Sequence, residues 1–95
     1  MAPTFFSNLR RRQLTKTVER HTREGRERDA RRADARRRRE WIVAAVTVAG
    51  ENMTALEALR VSAIEVKAEL EALDREDIAA NGRLVAYIKK FNGEE

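Results

Sequence analysis

The 95-residue chain has no cysteine, one proline, four glycines and five aromatic residues. Without cysteine it can form neither a disulfide bond nor a thiolate zinc site, and it has no thiol nucleophile. Because secreted domains of this size often need a disulfide, we expect an intracellular location, in the cytoplasm or inside a particle such as a virion. So few large apolar side chains build only a small core, and we expect the chain to gain stability from a partner or from copies of itself.

Residues typical of catalysis are also scarce. His21 is the only histidine, and we expect it to be an exposed helical residue. No nucleophile elbow, phosphate-binding loop or zinc-protease motif occurs. Glu65 and Glu69 are one helical turn apart, but no histidine or calcium-loop glycine accompanies them. We therefore expect a non-catalytic protein with no metal, cofactor or small-molecule substrate, and, since no apolar run approaches the roughly 20 residues a membrane span needs, no transmembrane segment.

The chain is rich in charged residues, and the basic and acidic ones are concentrated in different halves. Residues 1–40 hold 14 basic and 6 acidic side chains, whereas residues 41–95 hold 6 basic and 10 acidic ones. We therefore divide the chain into a basic, arginine-rich helical arm over residues 1–40 and an apolar and acidic region over residues 41–95. The predicted class is all-α, with a long basic N-terminal helix followed by a helical hairpin or coiled-coil C-terminal half.

The start of the arm is predicted to be a short lead-in over residues 1–6. Pro3 disfavours a helix there, and Phe5–Phe6 would form a small exposed anchor. Ser7 or Asn8 can then cap a helix, because their side chains accept hydrogen bonds from the first backbone N–H groups.

This helix is predicted to run to about Ala49, as one helix or as two joined near Gly25, its only weak point. Four acids precede a base by four residues, the favoured orientation for ion pairs on a solvated helix. These pairs are Glu19–Arg23, Glu24–Arg28, Glu27–Arg31 and Asp34–Arg38. Further on, one face becomes more apolar and is predicted to enter a core. It comprises Ala30, Ala33, Arg37, Trp41, Ala44 and Val48.

The second half begins with a predicted stop at Gly50 and a new helix near Ala55, because Thr54 and Glu57 have the spacing of a capping box. Apolar residues then follow at alternating spacings of three and four, which predicts a coiled-coil seam for helix packing or self-association. The seam comprises Leu56, Leu59, Ala63, Val66, Leu70 and Leu73.

Beyond the seam two arrangements fit the sequence. One helix can continue to Phe91, or the chain can break at a second turn, because Asp74 can cap a helix and Asn81–Gly82 is a turn signal. We favour the break. Around the seam we expect the side chains of Trp41, Ile42, Leu84, Tyr87 and Phe91 to pack.

The arginines of the arm carry most of the functional information. Thirteen of the 14 basic residues in it are arginine, whose planar fork suits phosphate and carboxylate groups. A helical stripe of Arg28, Arg32, Arg36 and Arg39 could follow a nucleic-acid groove. The predicted polyanion contacts are Arg10, Arg11, Arg12, Lys16, Arg20, Arg28, Arg31, Arg32, Arg36, Arg37, Arg38 and Arg39.

Residues 30–41 contain alanines, four consecutive arginines and a tryptophan. This segment resembles the arginine-rich RNA-binding peptide of lambdoid phage antitermination proteins. The resemblance implies that residues 36–39 bind RNA phosphates and that Trp41 stacks on a base. Because Trp41 also opens an apolar run, packing in a protein core is the alternative, and the one we favour.

Three functions are compatible with these patterns. The first is a nucleic-acid-binding protein that contacts phosphates through the arm and self-associates through the seam. The second is a structural or accessory subunit of a large assembly such as a phage particle, in which the arm sits on acidic protein surfaces. The third is a small protein inhibitor. In each we expect a homo-oligomer or a member of a larger complex.

Overall fold

The computed structural model of the chain describes residues 4–93, and the side chains of residues 8–93. In that range the chain forms two α-helices and no strand. Helix α1 spans Thr4–Ala49 and helix α2 spans Met53–Phe91. The all-α prediction is confirmed.

The N-terminal end of α1 differs from the prediction. The helix already includes Thr4, so the lead-in to residue 6 and a cap at Ser7 or Asn8 are wrong. A proline disfavours helix in the residue before it, not in those after it, and therefore leaves Thr4 free to be helical. Pro3 and the side chains of Phe5–Phe6 lie outside the described residues, so the exposed anchor stays a prediction.

Helix α1 passes Gly25 without a break, so the arm is one helix rather than two. A single glycine costs about 1 kcal/mol relative to alanine, which is little beside the hydrogen bonds of a helix that continues on both sides of it. The helix also continues through residue 40. The division of the chain at that point stays a prediction about function.

A tight turn joins the helices. Gly50 adopts a positive φ of 58°, and its N–H donates to the Val46 carbonyl at 3.3 Å. The Asn52 N–H donates to the Ala49 carbonyl at 3.0 Å. These contacts satisfy carbonyl groups at the end of α1, and they confirm the predicted stop at Gly50.

The start of α2 also differs from the prediction. The predicted capping box placed the first turn near Ala55, but the helix begins at Met53 and Asn52 caps it, accepting the Ala55 N–H through Oδ1 at 3.1 Å. Glu57 instead accepts from Arg60 at 2.9 Å. Asparagine is as good a cap as threonine, and Asn52 directly precedes the first residue of α2.

The predicted break in the second half is wrong. Helix α2 continues through Asn81–Gly82 to Phe91, and Asp74, the expected cap of a third helix, accepts from Arg32 at 3.2 Å. Gly82 does not adopt a positive φ. Half-buried or buried side chains keep their three-and-four spacing across the turn signal, so tertiary packing overrides it.

The chain divides into two compact units, which we call the turn unit and the terminal unit. The turn unit is Arg28–Arg75, and the terminal unit combines Met1–Glu27 with Glu76–Glu95. In the turn unit, the end of α1 and the start of α2 form a helical hairpin. Its core consists of Ala35, Ile42 and Val66, with Leu59 and Leu70 packed against them. The seam on α2 therefore finds a companion in α1 of the same chain.

Other predicted packing residues have different surroundings. In the turn unit, Leu73 is buried, Leu56 is half-buried and Ala63 is exposed. In the terminal unit, Ala80 is buried, and three predicted residues are half-buried. These are Leu84, Tyr87 and Phe91.

The face of α1 that enters the core was predicted incorrectly. Trp41 is 66% exposed and Val48 88% exposed, and all other members of the predicted face are also exposed. The buried positions lie seven residues apart, at Arg28, Ala35 and Ile42. Small Ala35 lets the helices approach closely, so the face with the largest apolar residue is not the face that packs. Core packing of Trp41 is therefore wrong within this chain.

Candidate functional site

Two arginines of the turn unit connect the helices of the hairpin. Arg32 on α1 donates to Asp74 on α2 at 3.2 Å and to Asp29 on its own helix at 2.8 Å. Arg38 donates to Glu69 on α2, and its Nε lies 3.2 Å from Asp34. The latter contact confirms the predicted Asp34–Arg38 pair. Each guanidinium thus binds two carboxylates, a task that suits its planar fork.

The electrostatics of Arg38 agree with this structural role. The hydrogen bond to Glu69 is the main cause that raises the pKa of Arg38 above its usual value, and the charges of Glu69 and Asp34 add to it. Arg38 thus takes part in contacts within the chain.

The predicted arginine stripe is divided by the fold. Arg28 is only 6% exposed, so this fold does not present it on the surface, and its contact with a polyanion stays a prediction. It occupies a position on the face that packs, seven residues before Ala35. Arg32 also turns inward, toward Asp74. Arg36 and Arg39 remain exposed, so the four residues do not form one outward stripe.

The other predicted contacts in the turn unit are exposed. Arg37 lies 3.6 Å from Asp34, a loose contact between two solvated side chains. Arg31 is exposed as well. Surface ion pairs of this kind contribute little to stability, and Arg37 can exchange Asp34 for another anion.

In the terminal unit, the predicted contacts are almost all on the surface. Arg11, Arg12, Lys16 and Arg20 are exposed. Arg10 lies over the ring of Phe91, with 5.5 Å between the guanidinium carbon and the ring centroid. This cation–π contact joins α1 to α2 and gives Arg10 a packing role.

The exposed side of α1 in the terminal unit carries a compact row of cations. Arg12, Lys16, Arg23 and Arg26 follow one another at spacings of four, seven and three, which places them on one side of a helix. The row is about 21 Å long at 1.5 Å per residue. Glu19 shares this side, and Glu27, four residues after Arg23, lies at its edge. We call these four cations the basic face.

The basic face has no ion-pair partner among the described side chains, those of residues 8–93. All four side chains are exposed, and in the part of the chain whose side chains are described none of them forms an ion pair. The expected pair between Glu19 and Arg23 is absent from that part. These cations differ in this respect from Arg32 and Arg38, whose guanidinium groups pair with carboxylates of α2.

Two members of the basic face, Arg23 and Arg26, were missed in the sequence. The sequence pattern pairs Arg23 with Glu19, and Arg26 is not among the predicted polyanion contacts. The available signal was the seven-residue spacing of Lys16 and Arg23. It becomes informative only when the inward face of α1 is known, because the same spacing describes every face of a helix.

Two grooves accompany these charged residues. In the terminal unit, an open polar groove of about 400 Å³ is lined in part by Arg20, Arg83 and Tyr87. His21 also lines it, half-buried rather than exposed as predicted, with Nε2 3.0 Å from Oδ1 of Asn81. In the turn unit, an apolar groove of about 580 Å³ is lined entirely by apolar residues. We call it the apolar groove, and its lining is Trp41, Ala44, Ala45, Val48, Ala49, Ala55, Ala58 and Leu59.

The described residues contain neither a metal-binding cluster nor a membrane span. No group of three or more histidine and carboxylate side chains in residues 8–93 is placed to hold a metal ion. Neither of the helices, over the stretch that the structure describes, is long and apolar enough to cross a membrane.

Comparison of this chain with known proteins adds no relative. No protein-family model, curated protein or solved structure matches it. The function must therefore be inferred from the exposed cations and the grooves themselves.

Proposed function

We propose that this chain is a non-catalytic helical interaction protein whose basic face binds a polyanion, with nucleic acid as the ligand. The observation that carries the proposal is the division between its cations. Arg32 and Arg38 neutralise carboxylates of the chain, whereas the basic face presents four exposed charges without such partners in the described side chains.

The geometry of the basic face suits a phosphate backbone. Successive phosphates of one DNA strand are about 3.4 Å apart along the axis, so a row of about 21 Å can meet several of them. Three of the four cations are arginine, which can donate two parallel hydrogen bonds to one phosphate. Binding would release condensed counterions, and its affinity would fall steeply as salt rises.

Salt-dependent binding of labelled DNA and RNA duplexes tests the proposal. The variant replaces all four residues of the basic face by glutamine. Each phosphate contact contributes about 0.9 to the slope of log affinity against log salt for duplex DNA. We therefore expect the slope of the variant to be lower by about 3 to 4 if all four cations contact phosphates.

A matched control separates the basic face from net charge. Replacing Lys67, Arg75, Arg83 and Lys90 by glutamine also removes four positive charges from exposed positions of a chain whose net charge is +4. The control should keep most of the slope. Equal losses in both variants would contradict a specific face. Absence of any binding by the unmodified protein at low salt would overturn nucleic acid as the ligand and favour an acidic protein surface instead.

A further inference from the structure

No side chain of residues 8–93 fills the apolar groove of the turn unit. Five of its eight lining residues are alanines, from both helices. Trp41 and Val48, which also line it, are 66% and 88% exposed. A large aromatic ring left in water beside several alanines is the composition of a helix-packing surface that lacks its partner.

The core of the described part of the chain is small. Among residues 8–93 five apolar residues are buried, three of them in the turn unit's central cluster, and no large side chain is fully buried. The apolar side chains that line the groove are therefore not needed to complete this core, and they stay available to a partner.

We propose that a second copy of this chain covers the apolar groove. In this dimer the two α1 helices run antiparallel about a two-fold axis between Ala44 and Ala45. Residues equidistant from that axis then meet, so Trp41 of each copy lies against Val48 of the other. Because the same patch contains both the protruding ring and the hollow that receives it, it is complementary to itself, as a two-fold interface requires.

The charges at the two ends of the patch fix the antiparallel direction. Arg37 lies one turn before Trp41, and Glu51 follows Val48 in the turn; both are exposed. An antiparallel pair places Arg37 of one copy beside Glu51 of the other, at each end of the interface. A parallel pair would oppose like charges at both ends, which is unfavourable.

A nucleic-acid base is a poorer occupant of the groove. The indole N–H of Trp41 is the single side-chain hydrogen-bonding group among the lining residues, so the groove offers one donor and no acceptor for the edge of a base. The cations of the basic face, moreover, belong to the terminal unit. The dimer therefore does not depend on the proposed polyanion binding, and either proposal can fail without the other.

The mass of the protein in the absence of nucleic acid tests the dimer directly. Size-exclusion chromatography with light scattering should show a concentration-dependent dimer. Val48→Asp should give a monomer, because it places a charge in the interface, yet it should keep its helicity because Val48 is exposed in the single chain. The control, Ile64→Asp, alters another exposed apolar position, 55% exposed on α2, and should remain dimeric.

Two measurements that place no charge in the apolar groove support this test. Since the chain has no cysteine, Ala44→Cys should form a disulfide-linked dimer under mild oxidation, whereas Ala68→Cys, also exposed, should not. Arg37→Glu should weaken the dimer several-fold, and the added Glu51→Arg should restore it. In the double variant the new glutamate at position 37 of one copy again lies beside an opposite charge, the new arginine at position 51 of the other copy.

Trp41 is the only tryptophan, so its emission reports on the groove. We expect a shift to shorter wavelength as the protein concentration rises. The proposal is overturned by a monomer at all concentrations, by loss of the dimer in Ile64→Asp but not in Val48→Asp, or by a Trp41 emission that shifts only when nucleic acid is added. The last result would assign Trp41 to base stacking.

Discussion

Asn52 accepts a hydrogen bond from the backbone N–H of Ala55 through its Oδ1, at 3.1 Å, and so caps α2 at the turn of the hairpin. The first N–H groups of a helix have no partner inside it, and a side-chain oxygen at the N-cap satisfies one of them. The turn thus needs two particular residues, Gly50 to end α1 and Asn52 to begin α2. The contribution of each of these two residues to stability can be tested by a substitution with a matched control.

The first prediction concerns the cap. Asn52→Ala removes the acceptor for the Ala55 N–H, and we expect it to lower the free energy of unfolding by about 1 kcal/mol. Thr54→Ala is the control, because Thr54 is the residue that the sequence pattern marked as the cap and the structure places inside α2. Urea unfolding followed by helical circular dichroism measures both. If Thr54→Ala lowered the free energy of unfolding more than Asn52→Ala, Thr54 rather than Asn52 would be the cap of α2.

The second prediction compares two glycines with opposite backbone requirements. Gly50 has a φ of 58°, a region that alanine enters at a penalty of about 1–2 kcal/mol, so Gly50→Ala should destabilise the protein by about that amount. Gly82 lies inside α2, and a Cβ there would meet no atom within 4 Å. Gly82→Ala should therefore stabilise the protein by about 0.5–1 kcal/mol.

Thermal unfolding of the two alanine variants, at one protein concentration, measures this difference. The midpoint should fall for Gly50→Ala and rise for Gly82→Ala. If Gly82→Ala instead lowered the midpoint, the chain would turn at Asn81–Gly82, as its sequence suggests, and the continuous helix would be wrong.

Local sequence signals predicted the helices better than their faces. The stop at Gly50 and the seam residues Val66 and Leu70 could be predicted because each depends on a few neighbouring residues. The turn signal at Asn81–Gly82 was misleading, since helical packing on both sides of it decides the conformation. Tertiary contacts override the local propensity of a residue wherever they contribute more to the free energy of folding.

The candidate site was harder to predict, because it depends on which side of α1 meets α2. The apolar run that Trp41 opens predicts that both Trp41 and Ile42 pack around the seam, but only Ile42 is buried. The inward face of α1 is therefore one residue further on than Trp41. That rotation of about 100° also moves the arginines. It buries Arg28, directs Arg32 and Arg38 to carboxylates of α2, and leaves the basic face outside. The residues next to each arginine in the sequence do not indicate which side of α1 faces α2.

The third prediction tests whether the seam residues stabilise a core that lies within the chain. Leu73 is 2% exposed, and Leu73→Ala removes buried apolar atoms and leaves a cavity. Substitutions of this kind cost about 2–5 kcal/mol, and we expect a value near the lower limit because a thin core can collapse around the cavity. For a domain of this size the unfolding midpoint should fall by roughly 10 °C.

The control for Leu73 is a residue of α2 that is also large and aliphatic but lies on the surface. Ile78 is 73% exposed, so Ile78→Ala should change the free energy of unfolding by less than about 0.5 kcal/mol. Both variants should be compared at the same protein concentration, because self-association also stabilises the folded state. If the two substitutions had equal effects, Leu73 would not be buried within the chain, and the seam on α2 would have to find its companion in another molecule.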